Sequence, residues 1–351
     1  MFFMSPRQRE NEEGAPHVPL AAFFSDSPEG RHLWRVFDPP RRKRIASSAR
    51  LYPEVVSSRN LDQLAEKLKS LEVIFSTWGM PALSSAQLER LPSLKAVFYA
   101  AGSVRHFARP FLERGVVVVT AAAANAVPVA EYTLSMVLFA LKRGWAHAWN
   151  LKQARHPRGW KKLPLPGAFG STVGLISMSL VGRRVRELLR AFDLAVLAYD
   201  PYVGSEEARR LGVEMCPLEE IFRRADVVSL HAPLLPTTRG MITGAMLESM
   251  KTGATFINTA RGAIVREGEM VEVLRRRGDL WAILDVTDPE PPPPGSPLYE
   301  LPNVILTPHI AGAMDGEVGR LADLAIEEYD SWRHGRPLRH AVSLENLDIM
   351  A

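Results

Sequence analysis

The sequence has a single cysteine, Cys216, among its 351 residues. One thiol cannot form an internal disulfide, and no companion residue stands at a spacing useful for binding a metal. The sequence therefore predicts neither a disulfide scaffold nor a metal centre. It fits a reducing compartment, for which we expect the cytoplasm.

Long apolar runs and long charged runs are also scarce. No segment approaches the roughly 18 to 20 apolar residues that a membrane-spanning helix needs. Residues 1–4 are apolar but too few for a signal peptide, and charged residues follow them. The net charge is only +4, and the densest basic cluster, residues 41–44, has no aromatic residues interleaved, so it favours a solvated helix face. We therefore expect neither a membrane partner nor a nucleic-acid partner.

The residues that are present indicate a globular α/β protein. Hydrophobic residues make up 46% and charged residues 23% of a chain too long for one core, so two domains are expected. Short β-branched runs alternate with amphipathic segments, which is typical of parallel sheets with crossover helices. The predicted strands are 72–76, 95–100, 115–120, 172–176, 195–199, 227–230, 255–258, 281–285 and 304–306. The predicted helices are 61–70, 84–91, 126–145, 181–191, 217–224, 243–249, 267–276 and 315–334.

The strand 172–176 opens a candidate dinucleotide site. Such a site needs a strand, a glycine turn, a helix N-terminus for the pyrophosphate and an acidic residue about 20 positions later for the ribose. Gly182 opens the next helix, and Asp200 ends the following strand. However, residues 177–182 read Ser-Met-Ser-Leu-Val-Gly where G-x-G-x-x-G is expected. Alone, this turn indicates a generic βαβ unit more than a dinucleotide site, so its context must decide.

That context is a series of blocks between residues 71 and 336. They read Tyr99-Ala-Ala-Gly-Ser-Val104, Ala124-Asn-Ala-Val-Pro-Val-Ala-Glu131, His231-Ala-Pro233, Ile257-Asn-Thr-Ala-Arg-Gly262, Leu284-Asp-Val-Thr-Asp-Pro-Glu-Pro291 and Thr307-Pro-His-Ile-Ala-Gly312. In this order they resemble the D-isomer-specific 2-hydroxyacid dehydrogenases, the group with phosphoglycerate, D-lactate and hydroxypyruvate or glyoxylate enzymes. The combination is far more specific than any single block.

The resemblance implies a catalytic trio of Arg261, Glu290 and His309. Reducing a keto acid requires a hydride at carbon, a proton for oxygen and a fixed cation for the carboxylate. Arg261 offers a planar fork for the carboxylate and keto oxygen, His309 a proton, and Glu290 an acceptor that orients the imidazole. Alone, each residue has a common structural explanation: an ion pair, a solvated carboxylate or a turn cap. Within the matched blocks, the catalytic interpretation is favoured.

The resemblance also implies the residues that border the ligands. Gly102, Ser103 and Val104 resemble the loop that holds the substrate carboxylate opposite Arg261, and Trp78 could line the same pocket or belong to the core. The expected cofactor is NAD, because Asp200 would repel a 2′-phosphate and no arginine adjoins it. The implied cofactor-binding residues are Ser177, Met178, Ser179, Leu180, Val181, Gly182, Asp200, His231, Ala232, Pro233, Thr238, Thr259, Ala260, Asp285, Ala311 and Gly312.

The two serines of the turn predict a weakened cofactor site. A serine forced into a left-handed conformation costs about 1 to 2 kcal/mol, although a hydroxyl could recover part of this through a phosphate hydrogen bond. We expect the steric cost to dominate at Ser179, which is nearest the helix start.

The resemblance implies two Rossmann-like domains with doubly wound parallel sheets. The NAD-binding domain, residues 125–312, is inserted into a flavodoxin-like substrate domain made of residues 1–124 and 313–351. A homodimer through the cofactor domain is expected, with residues 145–160 as a contact arm. Little more than a tail follows the last helix, so we expect none of the extra regulatory domains of longer phosphoglycerate dehydrogenases.

Three functions stay open from the sequence. The first is an NAD-dependent enzyme that interconverts a small 2-keto acid and a D-2-hydroxy acid of unspecified identity. The second is formate or phosphite oxidation on the same fold, but formate enzymes resembling this family carry Gln where this chain has Glu290. The third is a catalytically weakened NAD-sensing regulator, suggested by the serines of the turn. Cofactor binding together with keto-acid turnover separates them.

Overall fold

The computed structural model describes residues 17–155 and 163–350. Residues 1–4, which were considered as a signal peptide, lie outside the described residues. So do residues 156–160, the distal part of the predicted dimer arm. The chain divides into two compact units. Unit 1 comprises Met1–Asn125 and Asp315–Met350, and unit 2 comprises Ala126–Met314.

Unit 1 is built on a five-stranded parallel sheet of order β2-β1-β3-β4-β5. Its strands are β1 Leu20–Phe24, β2 Arg50–Leu51, β3 Leu71–Ser76, β4 Ala96–Tyr99 and β5 Val117–Thr120. Its helices are α1 Arg31–Val36, α2 Pro39–Ala46, α3 Leu61–Leu64, α4 Ser85–Glu89, α5 Ala108–Glu113, α13 Val318–Arg333 and α14 Leu344–Leu347. Three strands, β1, β3 and β4, are wholly buried, because a parallel sheet is covered on both faces.

The last long helix, α13, completes the core of unit 1. The ring of Tyr329 on α13 lies 5.1 Å from that of Phe75 and 5.5 Å from that of Phe98. These edge-to-face contacts add to the burial of large apolar surface. Both ends of the described chain therefore contribute to one core.

Unit 2 contains a seven-stranded parallel sheet of order β12-β11-β10-β9-β6-β7-β8. Its strands are β6 Thr172–Ile176, β7 Ala195–Tyr199, β8 Glu214–Met215, β9 Val227–Leu230, β10 Thr255–Asn258, β11 Trp281–Leu284 and β12 Val304–Leu306. Its helices are α7 Gly144–Ala154, α8 Leu180–Leu189, α9 Ser205–Leu211, α10 Leu218–Arg224, α11 Gly244–Glu248 and α12 Glu267–Arg276, preceded by α6 Ala122–Leu141. The predicted fold class, α/β with two parallel sheets, is confirmed. The strand order reverses between β6 and β9, where ligands bind in open sheets of this kind.

Helix α6 corrects two expectations. The predicted helix 126–145 is two helices, because Arg143 adopts a left-handed conformation at φ +46° and ends the first. At 20 residues and a mean hydropathy of 1.4, α6 is also long and apolar enough to cross a membrane, contrary to the sequence reading. Half of the most apolar stretch of this helix is buried. Ala130, Val137 and Leu141 pack into the unit 2 core. A core helix of a soluble protein meets the same test, so α6 is weak evidence for a membrane span.

Candidate active site

The turn between β6 and α8 forms a helix N-terminus that suits an anion. A Cβ on Gly182 would collide with the carbonyl oxygen of Ser177, so only glycine lets the helix approach the strand end this closely. The amides of Leu180 and Val181 donate to no protein group in the part of the chain that the structure describes. Unpaired amides at the start of a ten-residue helix are where a pyrophosphate binds.

The two serines of this turn play different structural roles. Ser177 adopts the left-handed conformation at φ +76°, which costs a non-glycine residue about 1 to 2 kcal/mol. Ser179 is extended, and its hydroxyl accepts from the amide of Gly182 as the helix N-cap. The expectation that Ser179 carries the main steric cost was therefore wrong. The strain lies at Ser177, because the turn reverses the chain there.

Asp200 ties the turn to the end of β7. One carboxylate oxygen accepts from the amide of Met178 at 2.7 Å and from the hydroxyl of Ser177 at 3.2 Å. The other accepts from the amide of Tyr202 at 2.9 Å. The predicted ribose acceptor thus also holds the strained turn in place.

His231 lies directly behind the turn, after β9. Its carbonyl accepts from the hydroxyl of Ser179 at 2.8 Å, and its amide donates to Ile176 at 2.8 Å. The ring is buried, and neither ring nitrogen has a hydrogen-bond partner among the described residues. Burial lowers the pKa of His231 to about 3, so its ring is neutral. Further along this loop, Thr238 closes a turn by donating to the carbonyl of Pro233 at 2.6 Å.

Arg261 follows β10 and is partly buried. Burial lowers the pKa of its guanidinium, while the negative charge of Glu290 opposes that lowering. An arginine remains a cation under such conditions. Gly262 is required next to it, because a Cβ there would collide with the backbone of Thr287. Arg261 is therefore held against the loop that carries Glu290.

Glu290 and His309 form the hydrogen-bonded pair that the sequence motifs predicted. The Nδ1 atom of His309 lies 2.6 Å from Oε1 of Glu290, and both side chains are about half exposed. A carboxylate can only accept here, so the Nδ1 proton belongs to His309, and Nε2 is left to exchange a proton.

The loop of His309 is fixed by Asp285 at the end of β11. The buried carboxylate of Asp285 accepts from the hydroxyl of Thr307 at 2.6 Å and from the amides of Ile310 and Ala311, each at 2.9 Å. Its carbonyl accepts from the amide of His309 at 3.0 Å. These bonds hold His309 at φ +54°. The cofactor role expected for Asp285 stays a prediction, whereas the structure shows it holding this loop.

The other predicted cofactor residues lie on these carboxyl-edge loops. The hydroxyl of Thr259 lies 3.4 Å from that of Thr133 on α6. Ala232, Ala260 and Ala311 are buried, and Gly312 is half-buried. Their side chains offer no polar group, so any contact with a cofactor would be through backbone or van der Waals surface. No group of three or more metal-ligating side chains occurs among the described residues.

The predicted substrate residues of unit 1 follow adjacent strands at its carboxyl edge. Trp78 comes after β3 and is partly buried, while the loop of Gly102, Ser103 and Val104 comes after β4. The hydroxyl of Thr120 donates to the carbonyl of Gly102 and anchors this loop. Val104 is buried in the core of unit 1, so only the first two residues of the predicted loop leave polar groups accessible.

The sequence analysis did not predict a role for the loop after β1. A cavity of about 350 Å³ lies at this edge, lined by residues 25–30 together with Val55, Ser57 and Arg59. The amide of Asp26 donates to the carbonyl of Gly79, beside Trp78. The buried run of β1 followed by Ser-Asp-Ser-Pro was the signal that could have revealed it.

Fold and site together define a two-unit α/β protein with a dinucleotide-binding domain and a histidine–carboxylate pair. Residues 134–311 match the model of the family "D-isomer specific 2-hydroxyacid dehydrogenase, NAD binding domain". The chain belongs to the D-isomer specific 2-hydroxyacid dehydrogenase family, and NAD is the cofactor of its matched domain. The unpaired amides, the close glycine and Asp200 fit that cofactor.

Relatives of known name support the assignment. The chain is 33% identical over 236 residues to the D-3-phosphoglycerate dehydrogenase of Archaeoglobus fulgidus, covering 67% of this chain and 44% of that protein. It is 28% identical over 289 residues to the glyoxylate reductase of Korarchaeum cryptofilum, covering 82% and 87%. The solved TT0316 protein from Thermus thermophilus is 29% identical with a TM-score of 0.67, covering 92% and 99%. The chain thus spans about half the length of the phosphoglycerate dehydrogenases that it matches first.

Proposed function

We propose that the protein is an NAD-dependent oxidoreductase that interconverts a small 2-keto acid and a D-2-hydroxy acid. The observation that carries the proposal is the hydrogen bond between Nδ1 of His309 and Glu290, whose charge acts on the partly buried Arg261 cation. An acid–base histidine beside a fixed cation suits chemistry at a carbonyl next to a carboxylate. The names of the relatives, phosphoglycerate dehydrogenase and glyoxylate reductase, agree with this class.

Each residue of the trio has a task in this chemistry. NAD, when bound, supplies or accepts the hydride. Arg261 binds the substrate carboxylate and polarises the keto oxygen through its planar donors. His309 gives a proton from Nε2 to that oxygen in reduction and takes it back in oxidation. Glu290 accepts a hydrogen bond from the Nδ1–H group of His309, which fixes the tautomer and stabilises the ring when it is doubly protonated.

The cofactor is proposed to lie along the carboxyl edge of the unit 2 sheet. Leu180 and Val181 would hold its pyrophosphate through their amides, and Asp200 would take the adenosine ribose. Because the Asp200 carboxylate disfavours a second negative charge nearby, NAD is expected over NADP. As partners we propose only the small acid and a second copy of the chain, in the cytoplasm, with no membrane or nucleic acid.

The alternative function is an NAD-sensing regulator with weakened catalysis. The observation in its favour is the strained Ser177 in the phosphate turn. The regulator hypothesis predicts that the protein binds NADH but does not turn over simple keto acids. The formate alternative is less favoured, because Glu290 stands where the formate enzymes carry Gln.

The test is a kinetic comparison of two variants. NADH oxidation is first measured over glyoxylate, hydroxypyruvate, pyruvate, 2-ketoisocaproate, phenylpyruvate and oxaloacetate. With the best substrate, His309→Ala should lower mainly kcat, by roughly two to four orders of magnitude. Arg261→Ala should raise KM and lower kcat. Near-normal reduction by His309→Ala would contradict the assignment, whereas NADH binding without any turnover in the wild type would favour the regulator.

A further inference from the structure

The side chain of Tyr132 on α6 reaches the loop that carries His309. Its hydroxyl oxygen lies 2.8 Å from Oγ1 of Thr307, and Thr307 in turn donates to Asp285 at 2.6 Å. No sequence motif singled out Tyr132, and the chemistry described above does not use it.

The direction of these hydrogen bonds follows from the donors available. Thr307 has one hydroxyl proton, which it gives to the Asp285 carboxylate. Its oxygen can then only accept from Tyr132, so the tyrosine hydroxyl is the donor. Burial raises the pKa of Tyr132, so the phenol keeps the proton that this bond requires. The chain of bonds runs in one direction, from Tyr132 through Thr307 to Asp285.

Asp285 is the acceptor on which the His309 loop depends. The amides of Ile310 and Ala311 donate to its two oxygens, on the C-terminal side of His309. The amide of His309 itself donates to the Asp285 carbonyl. A left-handed non-glycine residue persists only where its surroundings hold it, and here the surroundings are these bonds.

Helix α6 provides a rigid support for this loop. It spans 20 residues, and Thr133, next to Tyr132, is buried and contacts Thr259. A side chain fixed to such a helix can hold the rotamer of Thr307, which would otherwise be free to turn its hydroxyl away from Asp285.

We propose that Tyr132 is a positioning residue for His309, acting through Thr307 and Asp285. The expected effect on kcat rests on the proposed function. The expected effect on the His309 loop does not depend on it. Without the tyrosine hydroxyl, Thr307 donates less consistently, the Ile310 and Ala311 amides open more often, and the imidazole presents Nε2 less reliably to the substrate.

The structural test is amide hydrogen exchange in the protein without added ligand. Tyr132→Phe removes only the hydroxyl and should speed exchange of the Ile310 and Ala311 amides about three- to tenfold, the effect of one net hydrogen bond. Tyr329→Phe is the matched control, because Tyr329 also donates one hydrogen bond, to the carbonyl of Ser48 at 3.0 Å in unit 1. Unchanged exchange at Ile310 and Ala311 in Tyr132→Phe would overturn the proposal.

The kinetic test uses a double-mutant cycle. Tyr132→Phe should lower kcat about three- to tenfold while KM and the NADH dissociation constant stay within about twofold, and Tyr329→Phe should change none of them. Thr307→Val should lower kcat about tenfold or more. The double variant should be no worse than Thr307→Val, because Tyr132 reaches Asp285 only through that hydroxyl. Additive losses would contradict the chain of bonds. If no keto acid is turned over, the proposed function fails, while the exchange rates still decide the role of Tyr132.

Discussion

In the cofactor turn, two serines have opposite effects on stability. Ser177 is strained by its positive φ, whereas Ser179 stabilises α8 by capping it. Sequence alone could not separate them, because both replace an expected glycine. Which of the two serines takes the left-handed conformation is decided by the position at which the chain reverses, and only the folded turn shows that position.

This difference predicts opposite stability changes for two substitutions. Ser177→Gly should raise the free energy of unfolding by about 0.5 to 1 kcal/mol, since relief of a left-handed serine outweighs the entropy of glycine and one long hydrogen bond. Ser179→Ala should lower it by about 1 kcal/mol, because the N-cap is lost. Urea unfolding of the two variants beside the wild type measures both. A less stable Ser177→Gly would show that the turn is not strained where its φ indicates, and a more stable Ser179→Ala would contradict the N-cap role.

His231 predicts a pH dependence of stability. Its folded pKa of about 3 lies below the ordinary value of 6.5, so the unfolded chain takes up this proton first as the pH falls. The contribution of neutral His231 is therefore complete above pH 6.5 and is lost as the pH falls from 6.5 towards 3. The slope is about 1.4 kcal/mol per pH unit, so about 2 kcal/mol should be lost between about pH 6.5 and 5.

The measurement compares unfolding free energies at about pH 6.5 and 5. His231→Met cannot take up the proton, so it should lose about 2 kcal/mol less than the wild type over this interval. Near neutral pH it should change stability little, because the ring nitrogens it removes have no protein partners among the described residues. His334→Met, at an exposed histidine, is the control. An identical pH dependence in wild type and His231→Met would mean that the ring becomes accessible to water.

At the scale of elements, regular strands were predictable and special turns were not. Strands β6, β7, β9, β10 and β12 have the predicted bounds, because apolar β-branched runs between turn residues leave little choice of register. Strand β1 was missed, since the run Leu20–Phe24 contains alanine and phenylalanine but no β-branched residue. The break at Arg143 was missed although Gly144 follows it, because an isolated glycine is tolerated inside a helical pattern and only backbone geometry shows the positive φ of Arg143.

The candidate site was predictable to the extent that motifs encode it. The pair of Glu290 and His309 was predicted from the resemblance of the motif blocks to a known family, and the structure brings the two together. The hydrogen bonds that hold them were not found, because Tyr132, Thr307 and Asp285 are far apart in the chain. Their hydrogen bonds form only because α6 packs beside the sheet, and no local sequence pattern predicts that packing.

At the scale of the whole molecule, unit 2 exposes several large apolar side chains on α6, on α7 and before β6. Phe139 on α6 is 45% exposed, and Trp149 and Leu151 on α7 are 45% and 50% exposed. Phe169, in the segment before β6, is 84% exposed. Large exposed aromatic side chains close in sequence are typical of an interaction surface. In the proposed dimer, a second copy of the same chain would cover some of these side chains.

The dimer proposal predicts a concentration-dependent mass that two charged substitutions remove. The wild type should show about twice the chain mass in light scattering at micromolar concentration. Trp149→Glu and Leu151→Glu should each weaken association about 30-fold or more, because a buried aromatic or aliphatic anchor contributes about 2 kcal/mol or more. Leu344→Glu, at an apolar residue of unit 1 that is 39% exposed, is the matched control and should leave the dimer intact. A monomeric wild type, or variants that stay dimeric, would place the interface elsewhere or remove it.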